Sequence, residues 1–339
     1  LSEIARINGL FDWVATRAVR ASKGSPTRLF WLVYAAGTFV TIFLSNDATA
    51  VVLTPAVCAV AAAAEVPAIP YVLACAFTAN AASFVLPVSN PANLVLYASH
   101  PPPLREWLDS YFAASVASIV LTGACLYWSQ RKVLRSSSVT IRDGQSPLAS
   151  GGRLAAVGIL IASVALLLAS DRGHSLGWAA LLVALGTQTA VCKLSRRPFL
   201  EPFHGVSWSV VPLVAALFIL TQAAENGGLL GPVEMLFAEG GTVASAGGLA
   251  VLCNIGNNLP VGMLMSSVLQ QGVGGDAVRL SVIVVDLSPN LSVTGSLATL
   301  LWLRVLRREG VDISWLGFLK VGLFAMPVAL VGALAVSFL

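Results

Sequence analysis

The sequence predicts an all-α polytopic membrane protein built from inverted repeats, each with a re-entrant hairpin and a discontinuous transmembrane helix. Three observations predict this. Of 339 residues, 57% are hydrophobic and only 11% are charged, against roughly 25% charged in an ordinary soluble domain. No Lys or Arg occurs from Leu29 to Leu104. The apolar stretches are of two kinds, plain and punctured by Asn, Ser and Pro, and the punctured kind occurs twice with the same order of breaks. At about 20 residues per span, the chain has room for about ten passes and no sizeable extramembrane domain.

Residues 1–28 carry Ile4, Ile7, Leu10, Phe11, Val14 and Ala18 at helical spacing, with Arg6, Arg17, Arg20, Lys23 and Arg28 supplying charge. They predict one amphipathic helix on the membrane surface. Repeat 1 covers 29–130: a hairpin over 31–64 turning at Ser45, Asn46 and Asp47, a helix over 70–98 broken at LPVSNPAN (86–93), and a plain helix over 109–129. Residues 131–205 hold the basic linker Arg131–Arg153, two plain scaffold helices near 154–170 and 176–192, and a second basic loop at Lys193, Arg196 and Arg197. From 206 to 339 come a scaffold helix near 207–224, a Gly-rich loop and repeat 2. That repeat has a hairpin over 242–272 turning at Asn254, Asn257 and Asn258, a helix over 278–303 broken at LSPNLSVTGS (287–296), and a helix over 314–338.

The punctured stretches align. Asn46 and Asp47 correspond to Asn257 and Asn258; Asn80 follows Asp47 by 33 residues and Asn290 follows Asn258 by 32. NLVLY at 93 matches TLLWL at 299, and EWLDSYF at 106 matches SWLGFLK at 314. If basic clusters mark the cytoplasm, then Arg28, both linkers and Arg304, Arg307 and Arg308 are inside. This holds only if the first hairpin enters and leaves on the cytoplasmic side and the second on the outer side, which makes the repeats inverted.

Breaking a helix at membrane depth frees N–H and C=O groups that can hold a small solute, although proline in a membrane helix can also be a mere kink. Ser45, Asn46, Thr49, Ser89, Asn90, Asn93, Asn257, Asn258, Thr294 and Ser296 are the candidate substrate-binding residues: neutral donors and acceptors at the two tips and two breaks. Asp47 and Asp286 are the candidate proton-coupling residues. A mid-membrane Asp costs roughly 2.5–3.5 kcal/mol, so each is protonated, paired or bound to a cation, and neither has a Lys or Arg beside it. Asp286 could instead cap or brace its broken helix.

Other chemistries are excluded. Cys58, Cys75, Cys125, Cys192 and Cys253 lie singly in apolar stretches, as small core residues do, so neither a disulfide framework nor a metal site is expected. His100, His174 and His204 fall in loops or at membrane edges, leaving a buried hydrolase without a base. Neither Asp lies in the Gly-x-Gly-Asp of intramembrane aspartyl proteases, and no Walker A stretch occurs. No enzyme activity and no cofactor are expected, and basic residues scattered in short clusters give no nucleic-acid surface.

SNDATAVVLTP (45–55), SNPANL (89–94) and DLSPNLSVTGSLATLLWLRVLRREGVDISW (286–315) resemble the ArsB/NhaD branch of the ion transporter superfamily, closest to the ArsB arsenite/antimonite efflux permeases. The resemblance covers essentially the whole chain. It implies a homodimer with a scaffold and a mobile transport module in a bacterial-type plasma (inner) membrane, proton-coupled extrusion of arsenite and antimonite, and in some systems a soluble ATPase subunit. It also implies that the chain, which begins at Leu1, lacks the first one or two spans of a full-length relative. Ala48 stands where the permeases more often have Gly. SNPAN is also similar to the divalent-anion/sodium symporters, so a sodium- or proton-coupled anion transporter is the alternative, with a membrane scaffold protein as the non-transport one. Asp47 occupies a tip position that is Thr in those symporters and disfavours an anion. Arsenous acid, neutral with three hydroxyls, suits the amide and hydroxyl array.

Overall fold

The computed structural model describes residues 1–338 apart from 98–100, 141–146, 173, 175, 196–197, 206–207, 209, 229 and 271–274. His100, Arg196, Arg197, the middle of the first basic linker and the last residues of the predicted 70–98 and 242–272 segments therefore lie outside the described residues. Among the described residues every regular element is helical. The protein is an all-α polytopic membrane protein, and six helical stretches are long and apolar enough to cross a bilayer: 26–43, 46–63, 104–136, 150–169, 176–195 and 315–337.

The N-terminal segment departs from the single predicted helix. It forms α1 (Ser2–Ile7) and α2 (Leu10–Ser22), broken at Asn8 and Gly9, where Gly9 takes a left-handed φ of 72°. The periodic pattern runs through the break because both pieces present the same face. That face packs on protein: Ile4, Phe11, Ala15 and Val19 join one core with Leu29, Val52 and Leu53. Ser25 then caps α3 (Pro26–Phe43), accepting the Arg28 N–H at 3.3 Å, with Pro26 in the first turn, where its missing N–H costs nothing.

The chain turns at Leu44 and Ser45 into α4 (Asn46–Ala48), a π-helical turn over Thr49–Leu53 and α5 (Thr54–Ala63). Beyond α8 the linker pairs with both ends of this unit, the Val139 N–H on Gly24 C=O at 3.4 Å and the Thr140 N–H on Ala64 C=O at 3.0 Å. Both ends therefore sit at one face of the molecule. α6 (Ile69–Ala81) is followed by a 3₁₀ turn at Pro87–Ser89 and α7 (Pro91–Leu96). α8 (Leu104–Ser136) is longer than the predicted 109–129, since its polar ends stay helical past the apolar stretch. α9 (Ser150–Asp171) and α10 (Leu176–Ser195) pack together; α11 (Glu201–His204) and α12 (Val210–Asn226) follow. The expected Gly-rich loop contains a helix, α13 (Leu230–Glu239). α14 (Gly241–Gly256) and α15 (Asn258–Gln270) meet at Asn257; α16 (Gly275–Leu287), a 3₁₀ turn at Ser288–Leu291 and α17 (Leu297–Arg308) precede α18 (Trp315–Ser337).

Two large apolar cores result, beside a small cluster of Ala82, Val85 and Leu86 at the first break, and each large core takes one half of each broken helix. One joins α1–α3, α5 and α6 with Ala298, Trp302 and Leu306 of α17. The other joins α14–α16 and the middle of α8 with Ala92 and Leu96 of α7. The breaks lie where the cores meet. There, freed carbonyls are taken up by side chains from packed helices, because an unpaired backbone group at this depth has no water to turn to. In the first break Trp107 Nε1 donates to Phe84 C=O at 3.1 Å, Ser118 Oγ to Ala81 C=O at 2.9 Å and Asn93 Nδ2 to Ser83 C=O at 2.9 Å. In the second Asn254 Nδ2 donates to Ser288 C=O at 3.0 Å and Asn257 Nδ2 to Thr294 C=O at 3.1 Å.

Trp107 is fully buried. Trp107→Phe keeps a ring but strands the Phe84 carbonyl, and is expected to destabilise the protein by about 1–3 kcal/mol, measured as a lowered thermal midpoint in detergent. Trp178→Phe, at an exposed position, should leave the midpoint unchanged.

Candidate functional site

Each tip touches the break that follows it. Ser89 Oγ donates to Ile42 C=O at 2.8 Å, tying the first break to the end of α3. At the second tip the Asn258 N–H donates to Gly295 C=O at 2.8 Å, Thr294 Oγ1 to Asn254 C=O at 2.9 Å and Ser292 Oγ to Asn254 Oδ1 at 2.7 Å. Gly295 is required by this closeness: a Cβ there would stand 2.7 Å from Pro289 Cα and 2.8 Å from Asn254 Oδ1. Each tip also packs on the second half-helix of the other break, α4 against α17 and α15 against α7.

The two breaks are bonded to each other across their buried faces. Asn80 Nδ2 donates to Asn290 Oδ1 at 3.0 Å and to Thr299 Oγ1 at 3.4 Å, and Asn290 Nδ2 donates to Phe77 C=O at 3.0 Å. Asn90 Nδ2 donates to Asp286 Oδ1 at 2.6 Å. Tips and breaks thus form one connected polar seam, although no direct hydrogen bond joins Asn46 to Asn258.

The twelve candidate residues divide by what their side chains are already doing. Ser45 caps α4, accepting the Ala48 N–H at 3.1 Å; Asn90 accepts the Ala92 N–H at 3.1 Å and Ser296 the Thr299 N–H at 3.1 Å. Thr49 pairs with Thr41 at 2.8 Å and donates to Gly37 C=O at 3.3 Å. Ser89, Asn93, Asn257 and Thr294 serve freed carbonyls, as described. Spare capacity is concentrated in a few atoms. Asn46 commits only Oδ1, to the Asp47 N–H at 2.8 Å. The Asp47 carboxylate is half-buried and makes no hydrogen bond or ion pair with the described residues. Asn258 Nδ2, Asn93 Oδ1 and Asp286 Oδ2 are buried without a partner.

Asn80, Asn254, Ser288 and Thr299 belong to the seam but are not among the twelve candidate site residues. Each carries a sequence signal of another kind: Asn80 as a repeat marker, Asn254 as a tip residue, Ser288 within the second break and Thr299 at the start of the TLLWL match; none of these signals says that the side chain joins the seam. Cys253 is buried beside Ser288 with no disulfide. Among the described residues no three His, Cys, Asp or Glu side chains are grouped to hold a metal. A cavity of about 540 Å³ opens at the face that carries Arg308, with Glu3, Arg6, Asp12, His204 and Glu309 around it, and runs along Val51, Val52 and Pro55, one turn beyond Asp47.

A family model described as citrate transporter (CitMHS) matches residues 1–304. The chain belongs to this family. Within it, the chain is 27% identical over 379 residues to the arsenical pump membrane protein of Escherichia coli K12, covering 97% of this chain and 82% of the relative. It is 26% identical over 363 residues to the protein so described from Yersinia enterocolitica, with the same coverage, and 24% identical over 357 residues to a putative arsenical pump membrane protein of Bacillus subtilis, covering 94% and 80%. This member of the citrate-transporter family is a multi-pass transport protein of the bacterial inner membrane, not an enzyme.

Asn257 takes φ 73° and ψ 146° at the second tip, a region where β-branched residues are strained. Asn257→Val and Asn257→Gly lose the same side-chain bonds, so their difference isolates the backbone. Asn257→Val is expected to be about 1–3 kcal/mol less stable than Asn257→Gly, measured by paired thermal melts of the purified proteins.

Proposed function

We propose that the chain is a secondary transporter that exports neutral trivalent metalloid hydroxides, arsenite and antimonite, in exchange for protons. The observation that carries this is the charge of the seam. Its free groups are amides, one hydroxyl and oxygens of the two carboxyls, Asp47 and Asp286, and no Lys or Arg lies in either tip or either break. A neutral solute with three hydroxyls can both donate to and accept from such groups. The names of the curated relatives support the same solute.

Citrate is the second reading, favoured by the family description and by the N-termini of α7 and α17, which open onto the breaks. Two features weigh against it: each cap takes one of those first-turn N–H groups, Asn90 that of Ala92 and Ser296 that of Thr299, and Asp47 would repel a carboxylate. Uptake of arsenite, antimonite or citrate by inverted vesicles decides between them. Metalloid uptake that rises with a proton gradient is expected, and citrate-only uptake would sink the proposal.

Export against a gradient needs a coupled ion, because a neutral solute offers the membrane potential nothing to pull. Asp47, at the tip one turn before the cavity-lining Val51, is the coupling group we propose for the solute-facing step. Asp47→Asn mimics the protonated acid permanently, so it should abolish proton-driven accumulation while leaving downhill exchange measurable. Full gradient-driven uptake by this variant would make Asp47 structural.

The proposal includes re-entrant, oppositely oriented hairpins. The pairing of Gly24 and Ala64 with the same linker supports the first, since a helical pair with both ends at one face turns back within the protein. Each of its arms is 18 residues, about 27 Å of helix, so length alone does not decide. In a cysteine-free background, Ser136→Cys should be labelled only from the cytoplasm and Glu239→Cys only from outside. Labelling of both from one side removes the inverted repeat.

A further inference from the structure

Helix ends give a repeat register that residue counting missed. Asn80 is next to last in α6 and Asp286 next to last in α16; Asn90 and Ser296 cap α7 and α17 ten residues later, and Asn93 and Thr299 stand thirteen residues later. The two sets bond crosswise. Asn80 of the first repeat reaches Thr299, which is paired with Ser296 at 2.7 Å, and Asp286 of the second repeat receives Asn90. One clamp is therefore held by an amide that never titrates, its own Oδ1 also buried without a partner. The other has a carboxyl at the same place.

The Asp286 clamp is incomplete as drawn without a hydrogen. Oδ1 accepts from Asn90 at 2.6 Å, while Oδ2 is buried with no partner. Asn93 faces the same carboxyl. Its Nδ2 is spent on Ser83 C=O at 2.9 Å and its Oδ1 has no partner. Ser83 also faces the carboxyl, but its hydroxyl hydrogen goes to Asn80 C=O at 2.8 Å. Asn93 Oδ1 and Asp286 Oδ2, on neighbouring side chains, are thus both buried acceptors without a partner, and one hydrogen on the carboxyl shared with the amide oxygen would satisfy both. An Asp–Asn pair lacking it leaves two buried acceptors unmet, which is costly for buried polar groups.

Among the described residues no other side chain supplies the missing charge or hydrogen. From α14 the titratable neighbour is Cys253, and from α8 it is Tyr111, whose hydroxyl is engaged with Tyr97 at 2.7 Å. α7, α15 and the Ser288–Leu291 turn carry no titratable side chain. In α6, Tyr71 donates to Pro26 C=O and Cys75 lies beside Cys58. Lys320, the charged residue of α18, is exposed. Arg279, on α16 itself, is turned to Ser337 C=O at 3.0 Å.

We infer that Asp286 is a proton-operated latch between the repeats: with a hydrogen on Oδ2 it bridges Asn90 and Asn93 and holds α7 to α16, and without it the bridge opens. The proton is taken from and returned to water on whichever side the seam opens. Asp286 acts through the helices it joins and is a positioning residue. The inference rests on the transport proposal for its purpose, not for its test.

The test uses the full chain in liposomes at neutral pH with no metalloid present. Infrared difference spectra between wild type and Asp286→Asn should contain a carboxylic-acid C=O band that moves down in D₂O, and Asn93→Ala should move the same band by removing its acceptor. If Asp286→Asn does not fold, Asp286→Glu serves, and should shift the band. Identical acid bands in wild type and variant, or loss of the band when sodium chloride replaces choline chloride at fixed pH, would overturn the latch, the second by showing a cation in the proton's place. A band with no metalloid transport would leave the latch standing and remove the export proposal alone.

Discussion

The structure depends on one constraint: a backbone N–H or C=O set free inside a membrane protein must find a partner that is not water. Two helices here stop and restart within the protein, and two more pairs turn sharply beside them. Each interruption strands several polar groups. The answer in both repeats is the same kind of device, a short polar side chain from the neighbouring tip or helix aimed at a carbonyl. Trp107 and Ser118 of α8 do this for the first break, Asn254 and Asn257 of the second tip for the second. Pro87, Pro91 and Pro289 sit where an N–H would otherwise need pairing as well.

This explains why most of the Asn, Ser and Thr residues are not free to bind a solute. Ser45, Thr49, Ser89, Asn90, Ser296 and Thr294 hold backbone or cap helices, so they build the site more than they line it. A solute or ion is left with what the backbone does not use: the amide of Asn46, Asn258 Nδ2 and the two carboxyls. The close approach of α18 belongs to the same economy. A Cβ at Gly322 would stand 2.5 Å from Asn290 C=O and 2.7 Å from Leu291 C=O, so α18, the last helix of repeat 2, touches the break directly.

Sequence made the fold class and the interruptions legible because both follow from composition. A charge-poor chain is a membrane chain, and Asn–Pro or Ser–Pro in an apolar run marks a place where helix ends. What it did not reveal was partnership. Nothing in the run around Asn80 says that it meets Thr299, 219 residues away, or that Trp107 is spent on a carbonyl and not on lipid. The spacing that paired Asn80 with Asn290 was off by four residues against the helix ends, because a count from the tips includes connecting segments of unequal length. The N-terminal pattern misled for a related reason: amphipathic spacing reports a shared face, and α1 and α2 keep one across the break at Gly9. Neither could it tell that this face meets protein, since apolar side chains suit lipid and core alike.

The division of the apolar residues into two cores bears on how such a molecule can move. Relative motion within a close-packed core exposes apolar surface or opens voids, each costly. Motion along a boundary that is already polar exposes little of either. Here the polar seam lies at both breaks, with α17 packed in one core and α7 in the other; within it the repeats are joined by hydrogen bonds, Asn80 to Asn290, Asn80 to Thr299 and Asn90 to Asp286, while α8 and α18 contribute apolar residues to both cores. Hydrogen bonds can be exchanged one for another at small net free energy, provided none is left unmade. A seam of amides alone would have no reason to prefer one arrangement at one moment and another later. In the proposed latch, the Asp286 carboxyl, able to be donor or pure acceptor according to its proton, would supply that reason, and its place opposite an amide of the other repeat would connect proton occupancy to the position of a helix.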